Sequence, residues 1–176
     1  MTPNSYSIRP ATDADGTEIA ALIAGVFGEY ENCPFVDDEF PELKAVGGHY
    51  RKTGGEIWVA NSDNGSVFGC LALVPSCVEG MFELFKVYVA KEARGTGLAQ
   101  SLLDTGLLWG QARGLNSLRL WTDTRFASGH RFYEKLGFTK QPVIRYLGDA
   151  AESWEYLYLC NNPDLATKAP FDRNNT

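Results

Sequence analysis

The stretch from Met81 to Ser101, MFELFKVYVAKEARGTGLAQS, holds the residues best suited to chemistry. A run of β-favouring residues leads into a glycine-bearing turn, and the turn opens a helical pattern. The first amides of a helix have no intrahelical acceptor, and the aligned peptide dipoles place partial positive charge at that end. Such a terminus binds anions, phosphate above all. Gly95 and Gly97 let an anion approach the backbone closely. Lys86, Lys91 and Arg94 put three positive charges beside the turn against one acid, Glu92. The turn matches neither G-x-x-x-x-G-K-[ST] nor G-x-G-x-x-G, since Gly95 and Gly97 are followed by Gln100, which disfavours a Walker loop and a dinucleotide fold. Alone, the pattern also fits a strand–helix turn with no ligand.

The surrounding elements must position this turn. Residues 6–10 read as a short strand. In the segment that follows, Ile19, Leu22, Ile23, Val26, Phe27 and Tyr30 fall on one helical face, with Asp15 and Glu18 as its expected capping pair. Residues 29–42 carry six acids, no base and two prolines, and read as a loop or a broken short helix. Three strand-like runs follow at 56–61, 66–74 and 81–89, the first two joined through Asn64-Gly65, which predicts an antiparallel meander. A helix from Leu98 to about Gly114 buries Leu98, Leu102, Leu103 and Leu107. A strand at 117–122, a short helix stopping at Gly137, and a hairpin around Asp149–Glu152 complete the order. The expectation is an α+β chain with one mixed, largely antiparallel sheet of about six to seven strands and helices on both faces. Residues 1–160 form the domain, and 161–176 form a polar tail.

The chain has 176 residues, room for one domain with a full core. Its net charge of −6 and pI of about 4.9 argue against nucleic acid and against a basic membrane-binding surface. No apolar run is long enough to span a bilayer, and the first residues lack the pattern of a signal peptide. Cys33, Cys70, Cys77 and Cys160 are widely spaced and read as reduced thiols of a cytoplasmic protein. Neither His49 nor His130 has metal-ligand spacing, so no metal is expected.

Arg94-Gly95-Thr96-Gly97-Leu98-Ala99 resembles the R/Q-x-x-G-x-G/A pyrophosphate loop of the GNAT superfamily of acyl-CoA-dependent N-acetyltransferases. Glu83–Val89 resembles that family's fourth strand and Leu118–Thr122 its fifth. Tyr133-Glu134-Lys135-Leu136-Gly137-Phe138 is similar to its Y-x-K-x-G-F helix end. The likeness runs from about residue 6 to about 160 and implies a sheet whose fourth and fifth strands splay apart. It implies acetyl-CoA as co-substrate, held by the backbone of Val87, Tyr88 and Val89 and by Arg94, Gly95, Thr96, Gly97, Leu98 and Ala99. Cofactor contact extends to Lys135 and to Phe126, which stands where the family often has Asn; Gly129 stands where it often has Ala.

The resemblance also implies acetyl transfer to a primary amine of a small molecule or peptide. Tyr133 matches the family tyrosine facing the sulfur and is the candidate general acid. An amide near Val87 is placed to polarise the carbonyl. Glu83, four residues before Val87 and so on its side of an unbroken strand, is the candidate base. The acidic stretch would draw a cationic acceptor, with Tyr30 and Asp38 as candidate contacts. Trp58, Trp121, Glu155 and Tyr156 stay undecided between core and cleft. A homodimer is a further expectation. The alternative to an enzyme is a non-catalytic acyl-CoA-binding sensor or scaffold.

Overall fold

A computed structural model describes residues 6–161; the expected polar tail lies outside the described residues apart from Asn161. One mixed sheet of seven strands runs through the molecule in the order β1-β2-β3-β4-β5-β7-β6. The strands are β1 (Ser7–Pro10), β2 (Glu56–Asn61), β3 (Val67–Pro75), β4 (Met81–Val89), β5 (Ser117–Asp123), β6 (Thr139–Tyr146) and β7 (Trp154–Cys160). β1 to β4 pair antiparallel, as the hairpin signals require, and β4–β5 is the parallel pair. The crossover between them carries α3 (Leu98–Gln111).

Helices cover both faces, so β2 and β3 are buried on each side and read as nearly continuous apolar runs. One core lies under α3 and α4 (Ala127–Lys135), with Leu102, Leu107, Leu118, Leu120 and Tyr158 at its centre. The other lies under α1 (Gly16–Phe27) and α2 (Val46–Lys52), with Ile19, Ile23, Val46, Ile57 and Val59. Residues 29–45 hold only short 3-10 turns, at Asp37–Glu39 and Pro41–Ala45. α2 lies beyond the segments that the sequence pattern resolves. Its glycine is required, because a Cβ on Gly47 would stand 2.8 Å from the Ala11 carbonyl oxygen.

The entry to α1 differs from expectation. Asp15 makes no side-chain cap bond to α1 and instead closes a capping box on the 3-10 turn Asp13–Asp15, whose N-cap is Thr12: the Thr12 amide donates to the Asp15 carboxylate at 2.7 Å. The carboxylate also accepts two bonds from Arg9, at 2.7 and 2.9 Å. Arg9 first, and the Thr12 bonds after it, outweigh burial and hold the Asp15 carboxyl down at about 2. A depressed carboxylate stabilises the fold above its ordinary range, and that contribution is lost as pH falls through the folded-state value. Asp15→Ala should therefore cost about 1–2 kcal/mol at pH 7, discounted for the part-exposed Arg9. In urea titrations, the gap from the parent should narrow as pH falls from about 4 towards 2.

Candidate functional site

The site begins where strand pairing stops. β4 and β5 pair for four residues, from Met81↔Ser117 to Leu84↔Leu120, and then separate. β5 continues beside β7 as far as Asp123↔Glu155, leaving the edge of β4 from Phe85 onward open. A bulge marks the start of the opening. Ala72 pairs with Phe85 and Cys70 with Tyr88, so Lys86 and Val87 together face Leu71. Lys86 takes a left-handed φ of 52°, and the Cys70 thiol donates to its carbonyl at 3.0 Å.

The bulge overturns one expectation. Leu84, Val87 and Val89 pack into the α3/α4 core, whereas Tyr88 packs into the other. Glu83 and Val87 therefore lie on opposite faces, because one inserted residue reverses the alternation that the four-residue spacing assumed. The Ala90 amide donates to Phe68 on β3, so the pairing groups of Val87 and Val89 point to the open edge. There the Val89 carbonyl accepts the Arg94 Nε at 3.1 Å.

Two cavities meet at this opening. The larger, about 400 Å³, runs from Val87, Tyr88 and Val89 to the turn before α3. Gly95 and Gly97 hold φ of 76° and 87°, and a Cβ on either would meet nothing within 4 Å. Among the described residues, the amides of Gly95 through Gln100 donate to no backbone or side-chain acceptor. Six donors thus converge at the positive end of a 14-residue helix, with no side chain capping it. Arg94 is the one charged side chain on this wall.

The second cavity, about 260 Å³, opens on the α1/α2 face between Phe27, Phe40, Trp121 and Leu147. Its wall carries Glu83, Lys86, Asp123, Arg145, Asp149 and Glu155. Val87, Tyr88, Phe126, Gly129 and Tyr133 line both cavities. Burial pushes the Tyr133 hydroxyl well above its ordinary range, so it stays protonated through neutral pH. No side chain among the described residues takes that proton in a hydrogen bond. Glu83 meets Arg119 Nε at 2.6 Å. Glu155 meets Arg145 Nε at 2.7 Å; burial raises its pKa and outweighs that arginine, while Asp123 and Asp149 raise it further. Asp123 is also pushed up by burial, but its bonds from Arg125 prevail and hold it below the usual carboxylate value.

The structure thus gathers Val87, Tyr88, Val89, Arg94, Gly95, Gly97, Leu98, Ala99, Phe126 and Tyr133 around the larger cavity. Thr96 lies on the turn but bonds the Ala93 carbonyl and does not line the cavity. Lys135 and Asp38 are exposed and line neither cavity. Tyr30, an expected acceptor contact, packs at a tilt against Phe126 on the larger cavity's wall and does not line the second cavity. The three cations do not form an open cluster. Lys86 turns to Glu42 at 2.6 Å, Arg94 grips Glu29 at 2.6 and 2.8 Å, and Lys91 is exposed. Nor do the six acids line the second cavity; residues 29–42 give it the Phe40 ring instead. Gln100, Ser128 and Phe132 join the larger cavity's wall without any signal in the sequence. Trp121 and Glu155 do line the second cavity.

The model of the acetyltransferase (GNAT) domain matches residues 53–140, half of the chain. The chain belongs to the GNAT family. It is 41% identical over 61 residues to a mycothiol acetyltransferase of Thermobispora bispora, covering 35% of this chain and 21% of that protein. It is 31% identical over 108 residues to an uncharacterised N-acetyltransferase of Schizosaccharomyces pombe, covering 61% and 64%. The chain thus spans only about a fifth of the mycothiol acetyltransferases it matches. The fold is that of a GNAT acetyltransferase from Staphylococcus aureus, at TM-score 0.73 and 21% identity over 86% of this chain and 98% of that one. It is also that of the ribosomal-protein-alanine N-acetyltransferase of Brucella melitensis, at TM-score 0.66 and 20% identity over 88% and 99%. The expected single mixed sheet with splayed fourth and fifth strands is therefore present. Among the described residues no helix of this GNAT protein is long and apolar enough to cross a membrane.

The thiol anchor of the bulge can be read by titration. Burial pushes Cys70 up to about 12 and raises Cys33, whereas Cys77 is exposed. An aromatic disulfide reagent at pH 8 should label Cys77 alone in the folded protein and all four free cysteines in denaturant. Fast labelling of Cys70 in native protein would contradict the closed bulge.

Proposed function

We propose that this protein is an N-acetyltransferase that moves an acetyl group from acetyl-CoA to a primary amine of a small molecule or peptide. One observation carries the reading: a cavity lined by five residues with unpaired amides meets a second, acid-lined cavity at a buried tyrosine. The residues present fit the co-substrate. The amides of Gly95 to Gln100 suit the pyrophosphate, and the open edge at Val87 and Val89 suits an extended amide-bearing arm that pairs like an added strand. Acetyl-CoA would supply a thioester carbonyl for the amine to attack and a sulfur that leaves needing a proton.

The chain's own groups match those needs. The Val87 amide, turned outward by the bulge, donates towards developing negative charge. Tyr133 holds a proton at its hydroxyl where the two cavities join and serves as general acid. The N-acetyltransferases of Schizosaccharomyces pombe and Rattus norvegicus among the relatives support N-acetylation as the class. A cytoplasmic location and a homodimer belong to the same proposal.

Thermal denaturation with acetyl-CoA, beside NAD, tests the co-substrate. At about 100 times its Kd, acetyl-CoA should raise Tm by about 5 °C or more, and NAD should not. Thiol release with 2-phenylethylamine, spermidine and an alanine-led tetrapeptide amide then tests transfer. Tyr133→Phe should cut turnover about 100-fold with acetyl-CoA affinity within about twofold. Tight acetyl-CoA binding without thiol release on any amine would replace the enzyme with the sensor reading. Glu29→Gln removes the carboxylate that grips Arg94 and should tighten acetyl-CoA binding about 3- to 10-fold. In calorimetry that gain should shrink at high salt.

A further inference from the structure

We infer that Glu155, rather than Glu83, receives the acceptor's ammonium group and takes its proton. The inference rests on the acetyltransferase reading and concerns the acceptor side of the same site. Three observations support Glu155.

The first is depth. Glu83 pairs with Arg119 below the fork, one residue before the last β4–β5 pair at Leu84↔Leu120. It stands four residues from Val87, about 10 Å down the strand once the bulge is allowed for. With the bulge counted as one step, Val87 comes level with Thr122 on β5, which lies beside Tyr156 on β7. Glu155, beside Asp123, stands one step further into the open fork and lines one cavity with Val87.

The second is position relative to the tyrosines. Glu155 lines the second cavity with Tyr88 and Tyr133, and both tyrosines also line the larger cavity. The carboxylate and the general-acid candidate thus share one cavity where the two meet.

The third is how Glu155 is held. Arg145 Nε and Nη2 both reach Oε2, at 2.7 and 2.6 Å, leaving Oε1 with no partner among the described residues. The Arg145 guanidinium lies 4.1 Å from the centre of the Trp121 ring, which fixes it from the other side. Arg145 is a positioning residue. The remaining ionisable groups facing Glu155 are Asp123 with its Arg125 from β5, Asp149 from the β6–β7 turn and Tyr88 from β4. The two acids repel the ionised form, which favours a proton on Glu155 once an ammonium group arrives.

The transfer balances. One N–H bond of the ammonium breaks, an O–H bond forms at Oε1, and the electron pair stays on nitrogen. The proton then passes from Oε1 to water, and the carboxylate is restored. The apolar walls, Phe27, Phe40 and Leu147, favour an amine on an apolar stem, so 2-phenylethylamine is the probe.

Calorimetry of 2-phenylethylamine with the CoA-loaded protein, and the pH profile of kcat/KM for thiol release, provide the test. Glu155→Gln should weaken amine binding at least 10-fold. It should also remove the acidic limb of the profile, which in the parent lies above the ordinary carboxylate range. Glu155→Asp should restore part of both, and the acetyl-CoA-induced rise in Tm should persist in each variant, showing an intact fold. An unchanged limb in Glu155→Gln, or loss of the limb in Glu83→Gln instead, overturns the inference while leaving the acetyltransferase reading standing. A parent protein that binds acetyl-CoA and neither binds nor acetylates 2-phenylethylamine, spermidine or the alanine-led peptide overturns both.

Discussion

The rest of the structure depends on a strand pairing that stops. β4 and β5 share hydrogen bonds for four residues and then part, β5 following β7 while β4 stays with β3. An unpaired strand edge inside a fold is costly unless water, a side chain or a ligand takes its bonds. Arg94 takes one, at the Val89 carbonyl. The bulge at Lys86 and Val87 lies at the point of departure, and its left-handed residue is held by a thiol from the neighbouring strand. The elements at the fork follow from chain order. β4 runs directly into the glycine-bearing turn before α3, and β5 runs directly into α4. The amide cradle and Tyr133 therefore reach the same opening without any long connection.

Electrostatics at the fork is arranged by pairing. Three cations near the turn or the bulge each have an acid at 2.6 Å: Lys86 with Glu42, Arg94 with Glu29, and Arg119 with Glu83. Two of these acids come from the segment between α1 and α2. Part-exposed pairs of this kind contribute little to stability, on the order of 1 kcal/mol or less each. Their larger effect is on what remains unpaired. With Arg94 bound to Glu29, positive potential in the larger cavity comes chiefly from backbone amides and the α3 dipole, worth roughly half a charge. Such dipoles are fixed by the helix and need no rearrangement to meet an anion. A lysine or arginine would first have to leave its carboxylate.

This division explains what could be read from the chain. The strands, the meander, α1, α3 and the glycine-bearing turn were legible because each rests on local spacing of apolar residues or on a turn residue of special conformation. The bulge was not, since one extra residue between Phe85 and Tyr88 leaves the apolar pattern of MFELFKVYV looking like an ordinary strand. The missed parity of Glu83 and Val87 follows from that alone. The Arg94–Glu29 pair joins residues 65 apart, and no local rule predicts it. α2 escaped because Gly47 and Gly48 weaken its helical signal. Both serve tertiary contacts: Gly47 lies against Ala11, and the Gly48 amide donates to Asp13 at 2.7 Å.

The wall of the second cavity differs in character from the rest of the fold. Residues 28–45 contain no regular strand or α-helix, yet they are fixed in place by rings. Phe27 at the end of α1 lies 5.9–6.3 Å from Phe35, Phe40, Tyr88 and Phe126, and Phe35 stacks on Phe40 at 5.0 Å. Aromatic pairs hold by area and by edge-to-face attraction, about 0.5–1.5 kcal/mol each beyond burial, and require no particular backbone pattern between them. Asp37 and Asp38 of the segment are exposed, whereas Glu29, Glu39 and Glu42 bind Arg94, the Ala150 amide and Lys86. The rings carry a constraint of their own. Phe40 packs against Phe35 and Phe27, and Lys86 lies 4.5 Å from the centre of its ring. Replacing such a ring changes the cavity wall and loosens the bulge residue together. Of residues 28–45, Phe40 is the one that lines the second cavity, so variation at the exposed positions leaves that wall unchanged, whereas the aromatic positions are tied to β4 at its bulge.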